Sequence, residues 1–165
     1  MFPIMLNIRG RKCTVAGGGN VAERKVKTLL KYGADVTAVS PVFKDRFPNV
    51  KRLEKEYSSS DIKNSFLVIA ATDNKEVNQT IYNDAKKRNI LVSLSDDTEH
   101  SDFILPSSKN YDDITISVST NGKSPALAKK ISQIKSNDLE LYASILPIIE
   151  KYRSKIGRAS CRERV

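Results

Sequence analysis

A glycine-rich run at residues 17–22, with the sequence GGGNVA, is suited to binding a dinucleotide. Gly17, Gly19 and Ala22 satisfy the pattern GxGxxA, in which the first glycine permits a tight turn and the second lets the backbone approach a diphosphate. The small third residue lets a helix pack closely on the preceding strand, and phosphate oxygens then reach the unpaired amides at the helix start. The run therefore predicts a dinucleotide site, with a purely structural glycine turn as the alternative.

Neighbouring carboxylates that follow a predicted strand are suited to proton transfer. Asp96 and Asp97 stand where that strand ends, on the edge at which open α/β sheets bind ligands. Glu99 and Asp102 lie close by in sequence, and repulsion among these groups would raise the pKa of one carboxyl toward a value useful in catalysis. A solvated acidic loop or a helix cap is the alternative, and the residues alone leave both open.

A third candidate site lies in the segment STNGKSPALA, residues 119–128. Asn121, Gly122 and Lys123 directly precede Ser124, which has the character of a helix N-cap and is followed by proline. A flexible glycine, a cation and unpaired helical amides are suited to holding a carboxylate or a phosphate. The same pattern also fits an ordinary helix start.

A strand before the glycine run and a helix after it position this run. Residues 13–16 are a short, continuously apolar strand. The helix is indicated by an apolar stripe at helical spacing, formed by Ala22, Val26, Leu29 and Leu30. Gly33 ends the helix, and residues 35–40 alternate as a second strand, so the unit is βαβ.

The same pattern returns further along the chain. Residues 50–57 are a predicted strand, and residues 66–72 are the clearest buried strand. Asn74 can cap a helix, after which residues 90–95 return as a strand. This alternation predicts an α/β protein, with a Rossmann-type and mostly parallel sheet that is covered by helices on both faces.

The alternation changes character after Asp96. Residues 102–106 and 114–119 are predicted to be short strands that pair as an antiparallel hairpin across a polar turn. Helices follow from Ser124 onward, and they are too few to form an independent core. We therefore expect a small hairpin followed by a C-terminal helical region.

These changes predict three parts of the chain. Residues 1–108 form the Rossmann dinucleotide-binding domain, and residues 109–156 form the following region with the start of a helical domain. Residues 157–165, GRASCRERV, have no apolar periodicity and look like a cloning remnant.

The composition argues against several classes of function. The chain has 28 Lys and Arg against 19 Asp and Glu, a net charge of +9 that favours a partner with several negative charges. Aromatic residues make up 7% and are not interleaved with basic ones, which argues against nucleic acid as the partner. The longest apolar run, residues 66–71, is far short of the roughly 20 residues of a membrane span. With two cysteines and one histidine we expect no metal site and a reducing, cytoplasmic location.

The residues after the second strand leave the choice between NAD and NADP open. The acidic residue expected about 20 positions after the glycines is missing, because Asp35 lies at the wrong end of the second strand. Ser40 could meet a ribose hydroxyl, whereas Lys44 or Arg46 could meet a 2′-phosphate.

Four stretches together resemble the siroheme synthase N-terminal family, that is, precorrin-2 dehydrogenases with or without sirohydrochlorin ferrochelatase activity. They are VAGGGNVAERK at 15–25, LVIAATDNKEVN at 67–78, SDDTEHSDFILPS at 95–107 and ISVSTNGKSPALA at 116–128. The resemblance implies an NAD-binding Rossmann domain, a dimerisation region within residues 109–156, a small helical domain that is cut short here, and a homodimer.

The resemblance also assigns cofactor contacts. It implies that Asn20 and Val21 touch the diphosphate of NAD beside the glycines, and that Pro41 and Val42 lie near the adenosine. Two further residues would approach the ribose on the nicotinamide side, namely Ala71 and Thr72.

For the reaction, the resemblance implies NAD-dependent oxidation of precorrin-2 to sirohydrochlorin, with Asp96 as the catalytic residue. Ser124 matches a position near the tetrapyrrole, and Asn121, Gly122 and Lys123 are candidates for holding its carboxylates. Because Asp97 follows Asp96 directly, the residues do not settle which carboxylate acts. The alternatives are an enzyme that also inserts ferrous iron into sirohydrochlorin, and a non-catalytic NAD-sensing module.

Overall fold

A five-stranded parallel sheet forms the first of two units in the computed structural model, which describes residues 1–121, 123–133, 142, 144–149 and 151–152. The units are Met1–Ile104 and Leu105–Val165. The strands of the sheet are β1 Lys12–Ala16, β2 Asp35–Ser40, β3 Lys51–Glu54, β4 Leu67–Ala70 and β5 Leu91–Leu94. Their spatial order, β3-β2-β1-β4-β5, is that of a Rossmann-type sheet, and the predicted α/β class is confirmed.

Two helices connect the strands of this sheet. Helix α1, Asn20–Lys31, leads from β1 to β2, and helix α2, Lys75–Lys87, leads from β4 to β5. The two connections run in opposite directions from the centre of the sheet, so right-handed crossovers put the helices on opposite faces. The strand order reverses between β1 and β4, and a crevice therefore opens at the carboxyl ends of these two strands.

Burial follows the apolar pattern of the sequence. All four residues of β4 are buried, as a strand covered on both faces requires. Helix α1 buries Ala22, Val26 and Leu29, whereas Leu30, which belongs to the predicted stripe, is partly exposed. Asn74 is the N-cap of helix α2, as predicted, and its side chain accepts hydrogen bonds from the amides of Glu76 and Val77. The expected strands 50–57, 66–72 and 90–95 are each present but are shorter than predicted by two to four residues.

The second unit contains a hairpin whose register differs from the prediction. Strands β6, Ser107–Tyr111, and β7, Ile114–Val118, pair antiparallel, and helix α3 covers Pro125–Ser132. The expected strand at 102–106 is wrong, since residues 107–111 pair although they are mostly polar. The turn consists of two aspartates only, and Asp112 takes the positive φ of 47° that such tight turns need. The predicted remnant at 157–165 lies outside the described residues.

Side chains after β5 cover the edge of the sheet. The amide of Val92 donates to Asp102 Oδ2 at 3.0 Å, and the amide of Leu94 donates to Ser101 Oγ at 2.8 Å. The amide of Asp102 donates back to the carbonyl of Val92 at 2.8 Å. Lys86 of α2 contacts the same carboxylate. Residues 101–102 thus replace a sixth strand and satisfy the free amides of β5.

No helix in the described part of the chain is long and apolar enough to cross a membrane.

Asp102→Ala should lower the free energy of unfolding by about 1–3 kcal/mol, because the buried amide of Val92 loses its acceptor. Denaturant unfolding of the purified protein measures this loss. Asp45→Ala, at an exposed aspartate, is the matched control and should change stability by less than about 0.5 kcal/mol. Equal losses in the two variants would contradict the role of Asp102 at the sheet edge.

Candidate active site

Gly17 places the loop after β1 directly against the end of β4. Its φ of +125° is unfavourable for any residue with a side chain, and a Cβ at this position would lie 2.3 Å from the carbonyl oxygen of Ala71. The same Cβ would lie 3.3 Å from that of Ala22, so helix α1 starts close to the strand, as the glycine pattern predicts. The loop can therefore turn here only with glycine.

Gly18 is required for a reason that the pattern GxGxxA does not contain. A Cβ on Gly18 would lie 2.0 Å from the carbonyl oxygen of Val42, in the loop after β2. The amide of Lys44 also donates to the carbonyl of Gly18 at 3.1 Å. The loops that follow β1 and β2 are thus packed backbone against backbone, which brings Val42 to the glycine run.

Gly19 leaves open space where a ligand would approach. Nothing lies within 4 Å of the position that its Cβ would occupy. Gly19 is the N-cap of α1 and offers no side-chain cap, whereas Asn74 caps α2 and Ser124 caps α3. The first turn of α1 therefore presents amides that no side chain caps, beside Asn20 and Val21, and this arrangement fits the diphosphate of a dinucleotide.

Two lysines neutralise the carboxylate in the first turn of α1. The ammonium groups of Lys27 and Lys44 each lie 2.6 Å from an oxygen of Glu23. Hydrogen bonds from Lys27 and Lys44 lower the pKa of Glu23 to about 2. Lys44 also donates to Asn20 Oδ1 at 2.7 Å. The negative charge that would repel a diphosphate is thus paired with two cations.

The predicted adenosine side lies in the loop after β2. Pro41 and Val42 are exposed, and Val42 presents 76% of its surface. Ser40 donates its hydroxyl hydrogen to the carbonyl of Val42 at 2.7 Å, so this hydroxyl is already used within the loop. An apolar surface beside the glycine run is therefore available to an aromatic base.

Ala71 and Thr72 continue β4 at the same edge. The amide of Ala71 donates to the carbonyl of Ala16 at 2.8 Å, which extends the sheet by one bond. The backbone of Thr72 pairs with the side chain of Asn78, a buried residue of α2. Asn78 was not among the predicted site residues, because an asparagine inside a helix has no distinguishing pattern in the sequence.

The structure separates the roles of the two adjacent aspartates. Asp97 Oδ1 accepts from the amides of Glu99 and His100 at 3.1 and 3.2 Å, and Oδ2 lies 2.7 Å from His100 Nδ1. Asp96 is exposed beyond the end of β5, and Asn78 Nδ2 donates to its Oδ1 at 3.3 Å. Asp97 thus folds its own loop, while Asp96 stays accessible at the carboxyl edge of the sheet.

The expected repulsion among these carboxylates does not raise the pKa of Asp97. The backbone and ring hydrogen bonds from His100 hold this pKa below its usual value. Stability from Asp97 is therefore present above the ordinary aspartate pKa of about 3.9 and is lost as the pH falls through the lower value of the folded state.

The third candidate site lies in the second unit. Ser124 Oγ accepts from the amide of Leu127 at 3.3 Å, and the amide of Ser124 donates to Thr120 Oγ1 at 3.0 Å. Contrary to the expectation of unpaired amides, the start of α3 is therefore capped by its own serine. Asn121 has a φ of 51° and Lys123 is exposed. Gly122 lies outside the described residues.

Among the residues that the structure describes, no group of three or more His, Cys, Asp or Glu side chains is arranged to hold a metal ion.

Comparison with known proteins identifies the family. Residues 4–107 match the family described as "Putative NAD(P)-binding", and residues 112–131 match that described as "Sirohaem biosynthesis protein central". The chain belongs to the siroheme synthase N-terminal family. The resemblance seen in the sequence is thereby confirmed, as is a nucleotide cofactor of the NAD class.

Relatives within this family are longer than the chain. It is 42% identical over 138 residues to the siroheme synthase of Photobacterium profundum, covering 80% of the chain and 29% of that protein. It is 35% identical over 162 residues to the siroheme synthase of Nitrosococcus oceani, covering 94% and 35% respectively. The chain thus spans about a third of the length of these relatives. A solved structure of SirC, precorrin-2 dehydrogenase, is similar with a TM-score of 0.74 and 26% identity, over 99% of this chain and 84% of that one.

Substitutions at two adjacent glycines should separate folding from cofactor binding. Gly18→Ala forces a methyl group against the carbonyl of Val42 and should cost about 1–3 kcal/mol of unfolding free energy. Gly19→Ala meets no atom of the protein and should cost less than about 1 kcal/mol, yet weaken NADH binding by about tenfold or more because the methyl group occupies the ligand's space. Thermal unfolding and NADH fluorescence titration measure the two effects. Unchanged NADH affinity in Gly19→Ala would place the diphosphate elsewhere.

Asp97→Ala should lower the melting temperature at pH 7, and the difference from the unchanged protein should shrink as the pH falls below the ordinary aspartate pKa of about 3.9 and through the lower pKa of the folded state. Glu99→Ala serves as the comparison in the same loop and should leave the melting temperature within about 1 °C, since this side chain is exposed. Calorimetry across this pH range measures both. A pH-independent loss in Asp97→Ala would contradict the contribution of its ionised form.

Proposed function

We propose that this chain carries the NAD-dependent dehydrogenase activity that oxidises precorrin-2 to sirohydrochlorin in siroheme biosynthesis. The proposal rests on the groups that lie together at the carboxyl edge of the sheet. There, the glycine run with its uncapped helix start and the exposed carboxylate of Asp96 belong to the same unit, on the edges of β1 and β5. The similarity to the structure named precorrin-2 dehydrogenase supports the choice of substrate.

The family resemblance assigns the residues that would hold NAD, and this geometry supports the assignment. Gly17, Gly19, Asn20 and Val21 would bind the diphosphate through the loop and the first amides of α1. Pro41 and Val42 would lie beside the adenosine, and Ala71 and Thr72 beside the ribose on the nicotinamide side. When bound, NAD supplies the acceptor for a hydride from the macrocycle.

Asp96 would remove the proton that accompanies this hydride. Oxidation by two electrons takes one hydride and one proton from the substrate, so the protein must provide a base next to the site of hydride loss. An exposed carboxylate at the end of β5 can accept this proton and release it to solvent. Asp97 is unsuited to the role, because its two oxygens are held by Glu99 and His100.

The partners of Lys44 disfavour the binding of NADP through this residue. Lys44, a candidate partner for a 2′-phosphate, is held by Glu23 and Asn20 at the diphosphate end. Its release would break an ion pair and a hydrogen bond, so binding of NADP through Lys44 would carry that cost.

The second unit would contact the substrate and a second copy of the chain. Asn121, Gly122, Lys123 and Ser124 would contact the carboxylates of the tetrapyrrole, for which the net charge of +9 is favourable. Leu127 and Ile131 on α3 are 49% and 42% exposed, and an isolated two-stranded hairpin is only marginally stable. These features support a homodimer in which another subunit covers this unit. We also propose a cytoplasmic location, in keeping with the free thiol of Cys13.

Anaerobic incubation of the protein with precorrin-2 and NAD should produce NADH and the visible spectrum of sirohydrochlorin. Asp96→Asn should lower kcat by at least about 100-fold while the Kd for NADH stays within about twofold, because the amide keeps the shape but cannot take a proton. Asp97→Asn is the matched control and should retain most of the turnover.

The outcomes distinguish the alternative functions. NADH binding without precorrin-2 oxidation would favour a nucleotide-sensing module, and equal turnover in Asp96→Asn and the unchanged protein would remove Asp96 from the mechanism. A parallel incubation of sirohydrochlorin with ferrous ion and no NAD tests metal insertion, and rapid metallation would extend the activity to a chelatase.

A further inference from the structure

We propose that Asn78 is a positioning residue, whose single side-chain amide holds the Thr72 turn and the carboxylate of Asp96 in one fixed arrangement. The inference rests on the proposed function, because it gives the two connected groups their roles as cofactor contact and proton acceptor. Asn78 would act through Thr72 and Asp96 and would not itself contact NAD or the tetrapyrrole.

The amide of Asn78 pairs with the backbone of Thr72 as a neighbouring strand would. The amide of Thr72 donates to Asn78 Oδ1 at 3.2 Å, and Asn78 Nδ2 donates to the carbonyl of Thr72 at 3.2 Å. The hydroxyl of Thr72 donates to the same Oδ1 at 2.7 Å. The chain beyond β4 is therefore held by a side chain of α2 after the strand itself has ended.

This pairing decides which way the amide points. If its oxygen and nitrogen were exchanged, the NH₂ group would face the amide of Thr72 and the oxygen would face the carbonyl of Thr72, so both hydrogen bonds would be lost. One hydrogen of Nδ2 is used on Thr72, and the second is left for Asp96 Oδ1 at 3.3 Å. Asp96 therefore receives a donor whose direction is set by another part of the site.

Burial makes the arrangement rigid. Asn78 is 3% exposed, and its own backbone amide is bonded to the carbonyl of Asn74 in the first turn of α2. Buried polar groups without partners are costly, so each of these hydrogen bonds resists being broken while the others hold. The ends of β4 and β5 are adjacent in the sheet, and Asn78 connects them across the gap that the strands leave.

Asparagine is the residue type that this position requires. An ionised aspartate has the same shape and keeps an acceptor for the amide of Thr72, but it has no hydrogen to donate to the carbonyl of Thr72 or to Asp96. Instead it would set two carboxylates about 3.3 Å apart and would disfavour the ionised form of the pair. Asn83 is an exposed asparagine of the same helix and offers a control with the identical change of charge and shape.

The experiment compares Asn78→Asp with Asn83→Asp in the full chain, with and without Asp96→Asn. Asn78→Asp should lower kcat for precorrin-2 by at least about tenfold, with the KM for NAD changed by less than about threefold. Its melting temperature should fall at pH 7, and this fall should be smaller in the Asp96→Asn background, because the repulsion between the two facing carboxylates is gone while the lost hydrogen bond to the carbonyl of Thr72 remains. Asn83→Asp should behave like the unchanged protein in every measurement.

The results test the positioning role of Asn78 separately from the proposed function. A fall in melting temperature that is the same in both backgrounds, or a full kcat in Asn78→Asp, would overturn the positioning role. Absence of precorrin-2 oxidation in the unchanged protein would overturn the proposed function instead, while the melting temperatures would still decide whether Asn78 is coupled to Asp96. If Asn78→Asp does not fold, Asn78→Ser against Asn83→Ser provides the same kinetic comparison, and a kcat equal to that of the control would overturn the role.

Discussion

The close approach of backbone to backbone at the glycine run is the constraint on which the rest of the site depends. Gly17 lies against Ala71 and Gly18 against Val42, at distances where even one methyl group would meet a carbonyl oxygen. These contacts hold the ends of β1, β2 and β4 together. The start of α1 then faces the crevice between β1 and β4. A helix N-terminus that is uncapped by any side chain can then bind an anion without first giving up an internal partner.

Side chains take over hydrogen bonding wherever the short strands end. Asn78 extends the end of β4, Ser101 and Asp102 cover the edge of β5, and Asp97 closes the loop between them. Such bonds are directional, and buried groups are costly to leave unpaired. The carboxyl edge of the sheet is therefore ordered beyond the strands themselves, which is the condition for holding a cofactor and an acid at a constant separation.

Ion pairs within the fold engage some of the carboxylates near the candidate site and leave Asp96 exposed. Glu23 is paired with Lys27 and Lys44, and Asp97 is paired with His100, so these carboxylates are committed within the fold. Asp96 receives one hydrogen bond, from a neutral amide, and stays accessible. Two adjacent aspartates of identical chemistry thereby acquire different surroundings, one bonded within its loop and the other accessible.

The sequence by itself determined the βαβ unit, the glycine turn, the caps at Asn74 and Ser124, and the family, because each of these depends on residues that are near neighbours along the chain. Only the tertiary structure decided the need for glycine at position 18, the hydrogen bonds of Asn78, the different partners of Asp96 and Asp97 and the register of the hairpin. Gly18 meets Val42, and Asn78 meets Asp96, across 24 and 18 positions of sequence. Local periodicity indicates which face of an element is apolar, but it does not indicate which distant backbone or side-chain group will contact a given residue. The order of the strands in the sheet determines which distant groups meet, and these contacts form the candidate site.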